Sequence, residues 1–232
     1  MDQKAIEQLV KLSDNVKKQE LARFFKSGKG QYGEGDLFLG ITVPKVREVA
    51  KQYAEIPLQD IKTLIEHEYH EVRLLAGLIL VIKFEKSLDP KDKIIQFYLK
   101  YLKRFNNWDL IDLTCYKILG AQIVNSSEQR QILYKLIESD NLWEQRCAVV
   151  ATMALIRQND FDDIIKFSKM MLTHKHDLIH KAVGWMLREV GKRNKSVLVS
   201  FLDEFAGQIP RVMLRYSIEK LNIKERSKYM EM

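Results

Sequence analysis

Apolar residues recur three and four positions apart along nearly the whole chain, the spacing of one face of an α-helix, and no stretch alternates convincingly as a half-buried strand would. The pattern predicts helices at 2–13 and 16–26, then a loop from Ser27 to Asp36 that carries four of the ten glycines. Pro44 opens the next helix. Further segments follow near 58–66, 70–85, 90–104, 107–123, 127–138, 142–157, 160–172, 177–192, 195–206 and 210–221. The run Leu78-Ile79-Leu80-Val81-Ile82 taken alone would suit a strand. Inside the periodic segment 70–85 it reads as a helix buried between neighbours.

Near the starts of five of these helices stands a charged residue: Arg73, Asp112, Arg146, Lys181 and Arg215. The steps are 39 residues from Arg73 to Asp112, 34 to Arg146, 35 to Lys181 and 34 to Arg215, the period of a two-helix repeat. Asn107, Asn141 and Pro210 are helix-start residues just ahead of three of them, so the helices are expected to begin in step. The fold class expected is therefore an all-α, HEAT-like solenoid forming a single domain over 1–232. Stacked repeats bring equivalent positions side by side, so four cations and one carboxylate should share one face, often the concave one. Helix amino termini would add their positive dipole ends to that groove.

The charge agrees with this picture. Lysine and arginine number 38 against 31 acidic residues, a formal net charge of +7, which favours a phosphate-rich partner. Two cysteines, Cys115 and Cys147, sit in apolar helical pattern and are read as reduced core residues. The amino terminus has no signal-peptide character, and the longest apolar run, Leu74 to Ile82, is too short to span a bilayer. A cytoplasmic protein without membrane contact is expected.

All three tryptophans adjoin the row: Trp108 four before Asp112, Trp143 three before Arg146, Trp185 four after Lys181. Residues so spaced share a helix face. Trp143 is read as packing; Trp108 and Trp185 flank the one carboxylate of the row. Among cations, Asp112 is expected to stay ionised, which makes it a poor general acid but a good stabiliser of positive charge on a sugar whose glycosidic bond is breaking. A salt bridge to Arg146 is an equal and compatible reading. Gly28-Lys29-Gly30-Gln31-Tyr32-Gly33 fits G-x-G-x-x-G but follows a helix, where a dinucleotide fold needs a strand. His174, His176 and His180 lack the further ligands of a settled metal site, so no metal is expected.

Phe24-Phe25-Lys26, Tyr32-Gly33-Glu34-Gly35-Asp36, Phe38-Leu39-Gly40-Ile41 with Val43-Pro44, Asn107-Trp108-Asp109-Leu110-Ile111-Asp112 and Ala182-Val183-Gly184-Trp185-Met186-Leu187-Arg188-Glu189 resemble the DNA alkylation repair family of HEAT-like repeat glycosylases, the AlkD-like proteins. The resemblance implies an all-α superhelix whose concave surface binds duplex DNA, and hydrolysis of the N-glycosidic bond of N3- or N7-alkylated purines without metal or organic cofactor; alkylated duplex DNA is the expected partner and a monomer the expected state. It assigns Asp112 as the catalytic aspartate, Trp108 and Trp185 as active-site tryptophans and Arg146 as the active-site arginine. Arg73, Lys181, Arg215 and Phe24 are the expected DNA contacts. Two positions depart from the pattern: Asp177-Leu178 stands where family glycosylases can carry an aromatic pair, and Phe24 where the family's amino-terminal aromatic can be tyrosine. These departures keep open a second reading, a non-catalytic binder of duplex or branched DNA. A third, a scaffold for protein partners, has no need of a cationic row.

Overall fold

The computed structural model describes residues 1–124, 126 and 128–232. Among the described residues every regular element is helical, and the β-type pairing is a single bridge between Leu37 and Tyr69. Where the sequence reads as one array over 1–232, the backbone falls into two compact units, Met1–Thr114 and Cys115–Met232.

The first unit holds α1 (Asp2–Lys11), α2 (Asn15–Phe24), α3 (Val43–Gln52), α4 (Leu58–Ile65), α5 (His70–Lys86), α6 (Lys91–Lys100) and α7 (Trp108–Asp112). Its centre is α5, buried on nearly every face from His70 to Phe84, with α3, α4 and α6 against it. This is the helix that contains Leu78–Ile82, so the strand-like run is the core of a helix packed all round. Gly77 lets it approach its neighbours: a Cβ there would lie 2.8 Å from Thr114 Cγ2 and 2.9 Å from Phe105 Cε1. Glu71, 1% exposed, accepts the amides of Leu39 (2.9 Å), Gly40 (2.8 Å) and Ile41 (3.1 Å) and so ties the segment after the glycine-rich loop to α5. Gly40 has φ +84°, and a side chain there would run into the Asp14 carbonyl.

The second unit holds a π-helical turn (Tyr116–Gly120), α8 (Ala121–Ile123), α9 (Gln131–Ile137), α10 (Leu142–Ala151), α11 (Met153–Arg157), α12 (Asp162–Met170), α13 (Asp177–Arg193), α14 (Lys195–Phe205), α15 (Arg211–Ser217) and α16 (Ile223–Met230). The long α13 is the hub, packed by α10, α11, α12, α14 and α15. Its approach to α15 is close because Gly184 has no side chain; a Cβ would meet the Met213 carbonyl at 2.5 Å. The predicted start of a helix at 127 lies outside the described residues.

Two predicted helices are interrupted. Segment 107–123 breaks after Asp112, and segment 142–157 breaks at Thr152. Each break carries a buried threonine. Thr114 donates its hydroxyl to the Leu110 carbonyl (2.6 Å) and its amide to Ile111 (3.1 Å); Thr152 donates both to Val149 (2.6 and 3.3 Å). Such local bonds compete with the helical ladder and tighten the turn. Helix α16 was not predicted, because Tyr229 is its one buried side chain and no apolar stripe marks it.

The helices that carry the charged row do begin in step. Asp112, Arg146, Lys181 and Arg215 are each the fifth residue of α7, α10, α13 and α15, and Arg73 is the fourth of α5.

Candidate active site

Helix α7 is a turn and a half long, too short to hold itself in water, so its neighbours fix its pose. Asn107 caps it, accepting the Trp108 amide at 2.9 Å, while Leu110 and Ile111 are buried in the core. Trp108 and Asp112, first and last residues of the helix, are both half-buried. The indole lies tilted against Phe25 at 5.3 Å between ring centres and takes Phe24 edge-on at 5.8 Å. Phe24 itself is 60% exposed, an uncovered aromatic beside the tryptophan that the sequence paired with Asp112. The structure thus gathers Phe24, Trp108 and Asp112 in the first unit.

Behind them lies a buried polar cluster that the sequence reading missed. His70, 1% exposed, opens α5 and sets Nδ1 3.2 Å from Asp36 Oδ2 and Nε2 2.9 Å from Asp109 Oδ2. Burial opposes charge on the ring, but the Asp109 carboxylate and the hydrogen bonds to Asp109 and Asp36 outweigh it and push His70 up to about 9. Burial likewise raises Asp36, yet the bond from His70 and the Arg73 charge hold it below the ordinary carboxylate range. Asp36 also accepts from Arg73 (2.5 Å), Asn106 (3.1 Å) and Asn107 (3.3 Å).

Arg73 is accordingly not the exposed phosphate contact the row suggested. It is 3% exposed, and its guanidinium is spent on Asp36 and on the carbonyls of His67 and Glu68, both at 2.9 Å. A cation committed to a buried carboxylate and two carbonyls has an internal structural role. The glycine-rich loop likewise forms no phosphate cradle after a strand. It follows α2 and turns back through Gly33, whose amide bonds the Lys26 carbonyl, to deliver Asp36 to the cluster.

In the second unit Arg146 is also buried, at 4% exposure, with one guanidinium nitrogen 2.5 Å from the Leu178 carbonyl. The tie runs from α10 to the first turn of α13. Along α13 stand Lys181 and, one turn later, Trp185, both half-buried; Arg215 on α15 is exposed. Trp185 lines a cavity of about 240 Å³ with Met153, Ile156, Arg157, Glu189 and Arg193. Trp143 is 7% exposed, as a packing role requires.

The three histidines are hydrogen-bonding joints. His174 accepts the His176 amide at Nδ1 and therefore carries its proton on Nε2, facing Gln145 Oε1 at 3.0 Å. His176 caps α13 by accepting the Leu178 amide, and His180 donates to the His174 carbonyl at 2.6 Å. Burial, with neighbouring histidines, lowers both His174 and His176 from their ordinary value. Among the described residues no three His, Cys, Asp or Glu side chains are grouped to hold a metal, and no helix is long and apolar enough to cross a membrane.

Comparison with known proteins adds the family. A solved structure described as a predicted DNA alkylation repair enzyme from Enterococcus faecalis shares the fold, with a TM-score of 0.75 over 91% of this chain and 97% of that one at 18% identity. No curated protein matches the sequence. The profile of the DNA alkylation repair enzyme family matches residues 5–221, nearly the whole chain. The protein therefore belongs to the DNA alkylation repair enzyme family, and its work lies in the repair of alkylated DNA.

Proposed function

We propose that the protein is a DNA glycosylase that removes positively charged N3- and N7-alkylated purines from duplex DNA, acting in the cytoplasm as a monomer without metal or organic cofactor. The observation that carries this reading is the placement of Trp108 and Asp112 at the two ends of α7, both half-exposed, with the uncovered Phe24 ring against Trp108.

The chemistry follows from the substrate. An alkylated purine already bears positive charge, so the bond between the sugar C1′ and the base nitrogen breaks with both electrons passing to the base, which leaves neutral. No general acid is required. Positive charge moves onto the sugar, and a carboxylate beside it lowers the barrier. Water then forms the new C1′–O bond and releases a proton. Asp112 is the group suited to face that charge, with Trp108 and Phe24 offering flat surfaces to the nucleotide.

Trp185 and Arg146 join this reading through the family pattern. The Arg146 guanidinium is buried with one nitrogen on the Leu178 carbonyl, a bond that ties α10 to α13. Lys181 and Arg215 supply phosphate contacts, which hold the duplex without reading its sequence. A second reading, DNA binding without turnover, draws on Asp177: it opens α13, the helix that carries Lys181 and Trp185, with its side chain 68% exposed.

The test is incubation with duplex DNA carrying N7-methylguanine, followed by detection of free base. Release by the protein supports the glycosylase. Salt-sensitive binding with no base released favours the second reading.

A further inference from the structure

Helix α7 starts with Trp108, and its second residue, Asp109, points inward to His70. The opposite ring nitrogen meets Asp36, at the end of the loop that follows Phe24 and Phe25. The imidazole ring also packs against a stacked aromatic pair: Phe25 and Phe38 lie 5.4 Å from each other and 4.8 Å each from the ring, and Phe25 in turn touches Trp108. One side chain therefore joins both polypeptide segments that build the aromatic end of the candidate site.

Resting on the glycosylase reading, we propose that His70 is a positioning residue: as an imidazolium it clamps the Asp36 loop to Asp109 of α7 and so sets Trp108 and Asp112 for excision.

The geometry requires charge on the ring. Ionised carboxylates only accept hydrogen bonds, and each ring nitrogen faces one, so both nitrogens must donate. A neutral imidazole has one proton and leaves the other nitrogen's lone pair against a buried carboxylate. Whichever side keeps the proton, the opposite side separates. Loss at Asp109 frees α7; loss at Asp36 also loads Asn107, the cap of α7, which donates to the same Asp36 oxygen. The charged groups around His70 are Asp36 from the loop, Asp109 from α7 and Arg73 on its own helix, with Arg104 facing Arg73. Glu71 beside it is committed to the amides of Leu39, Gly40 and Ile41. The balance favours the cation, and titration near pH 9 is the consequence.

The experiment labels the full chain with 5-fluorotryptophan and follows the Trp108 fluorine resonance, assigned with Trp108→Phe, from pH 6 to 10. Single-turnover release of N7-methylguanine is measured alongside at constant salt. In wild type the Trp108 signal should shift with a midpoint near pH 9, and excision should fall over the same range with little change in DNA affinity. Asp109→Asn removes one carboxylate and should move the midpoint down by about one pH unit or more. His70→Gln should abolish the transition and slow excision at neutral pH on the order of tenfold or more.

A Trp108 signal that does not titrate in folded wild type overturns the proposal, as does a transition unchanged in Asp109→Asn. Normal excision by folded His70→Gln also overturns it. If His70→Gln fails to fold, Asp109→Asn still decides. Absence of base release by wild type would sink the glycosylase reading alone, because the resonance titration tests the clamp without turnover.

Discussion

At the scale of single residues, the Asp36, His70, Arg73 and Asp109 cluster dominates. Arg73→Gln would leave the His70 imidazolium shared between two buried carboxylates, Asp36 and Asp109, and the negative charge left uncompensated costs about 3–5 kcal/mol. Urea denaturation should show that loss, while the salt dependence of DNA binding should not change, because Arg73 faces inward. The pH dependence of stability follows from the signs of the shifts. His70 is raised above its ordinary 6.5, so its contribution is complete below pH 6.5 and is lost as pH rises through about 9. A shift of that size corresponds to roughly 3 kcal/mol. Asp36 is lowered, so its contribution is present above its ordinary 3.8 and is lost as pH falls through its depressed value. The melting temperature should therefore decline on both sides of a plateau, and His70→Gln should flatten the alkaline side. Charge and spacing single out Asp112 and Trp108 as candidates in the sequence, but they carry no information about burial, and Arg73 was misread as a surface cation for that reason. The His70–Asp109 bond spans 39 residues, the same interval that separates Arg73 from Asp112. Stepping the row back by three positions would have brought the pair into view.

At the scale of elements, helical periodicity gave nearly every helix, including the strand-like core of α5. It did not give the interruptions at Thr114 and Thr152, where a side-chain hydroxyl competes with the ladder while apolar spacing runs on unchanged. Nor did it give α16, which lacks an apolar stripe, although its start was readable as Asn222 and Glu225, a reciprocal capping box. The placement of α7 depends on close packing at Gly77. Gly77→Ala would press a methyl group into Thr114 and Phe105, and such overpacking costs about 1–3 kcal/mol. Gly207→Ala is the control, since a Cβ there has nothing within 4 Å. Denaturation midpoints should fall for Gly77→Ala and stay close to wild type for Gly207→Ala. Excision by folded Gly77→Ala should also slow, because the methyl group pushes on the segment that ends α7.

At the scale of the whole molecule, a net charge of +7 and the family's role in alkylated DNA repair direct the protein to DNA. Affinity for duplex DNA should fall steeply with salt as released counterions lose their advantage. Lys181→Glu and Arg215→Glu should each weaken binding by a similar factor on any duplex, measurable by titration at two salt concentrations, since phosphate contacts position and do not discriminate. The all-α class was legible because a regular period repeats over most of the chain, whereas the proposed catalysis rests on where one carboxylate points. The most direct measurement is therefore single-turnover release of N7-methylguanine from duplex DNA by wild type and Asp112→Asn, with a binding titration of both. Loss of the carboxylate's charge is expected to slow excision on the order of a hundredfold, about 3 kcal/mol of transition-state stabilisation, with DNA affinity equal or higher. Equal excision rates for the two folded, DNA-bound proteins would contradict the assignment of Asp112.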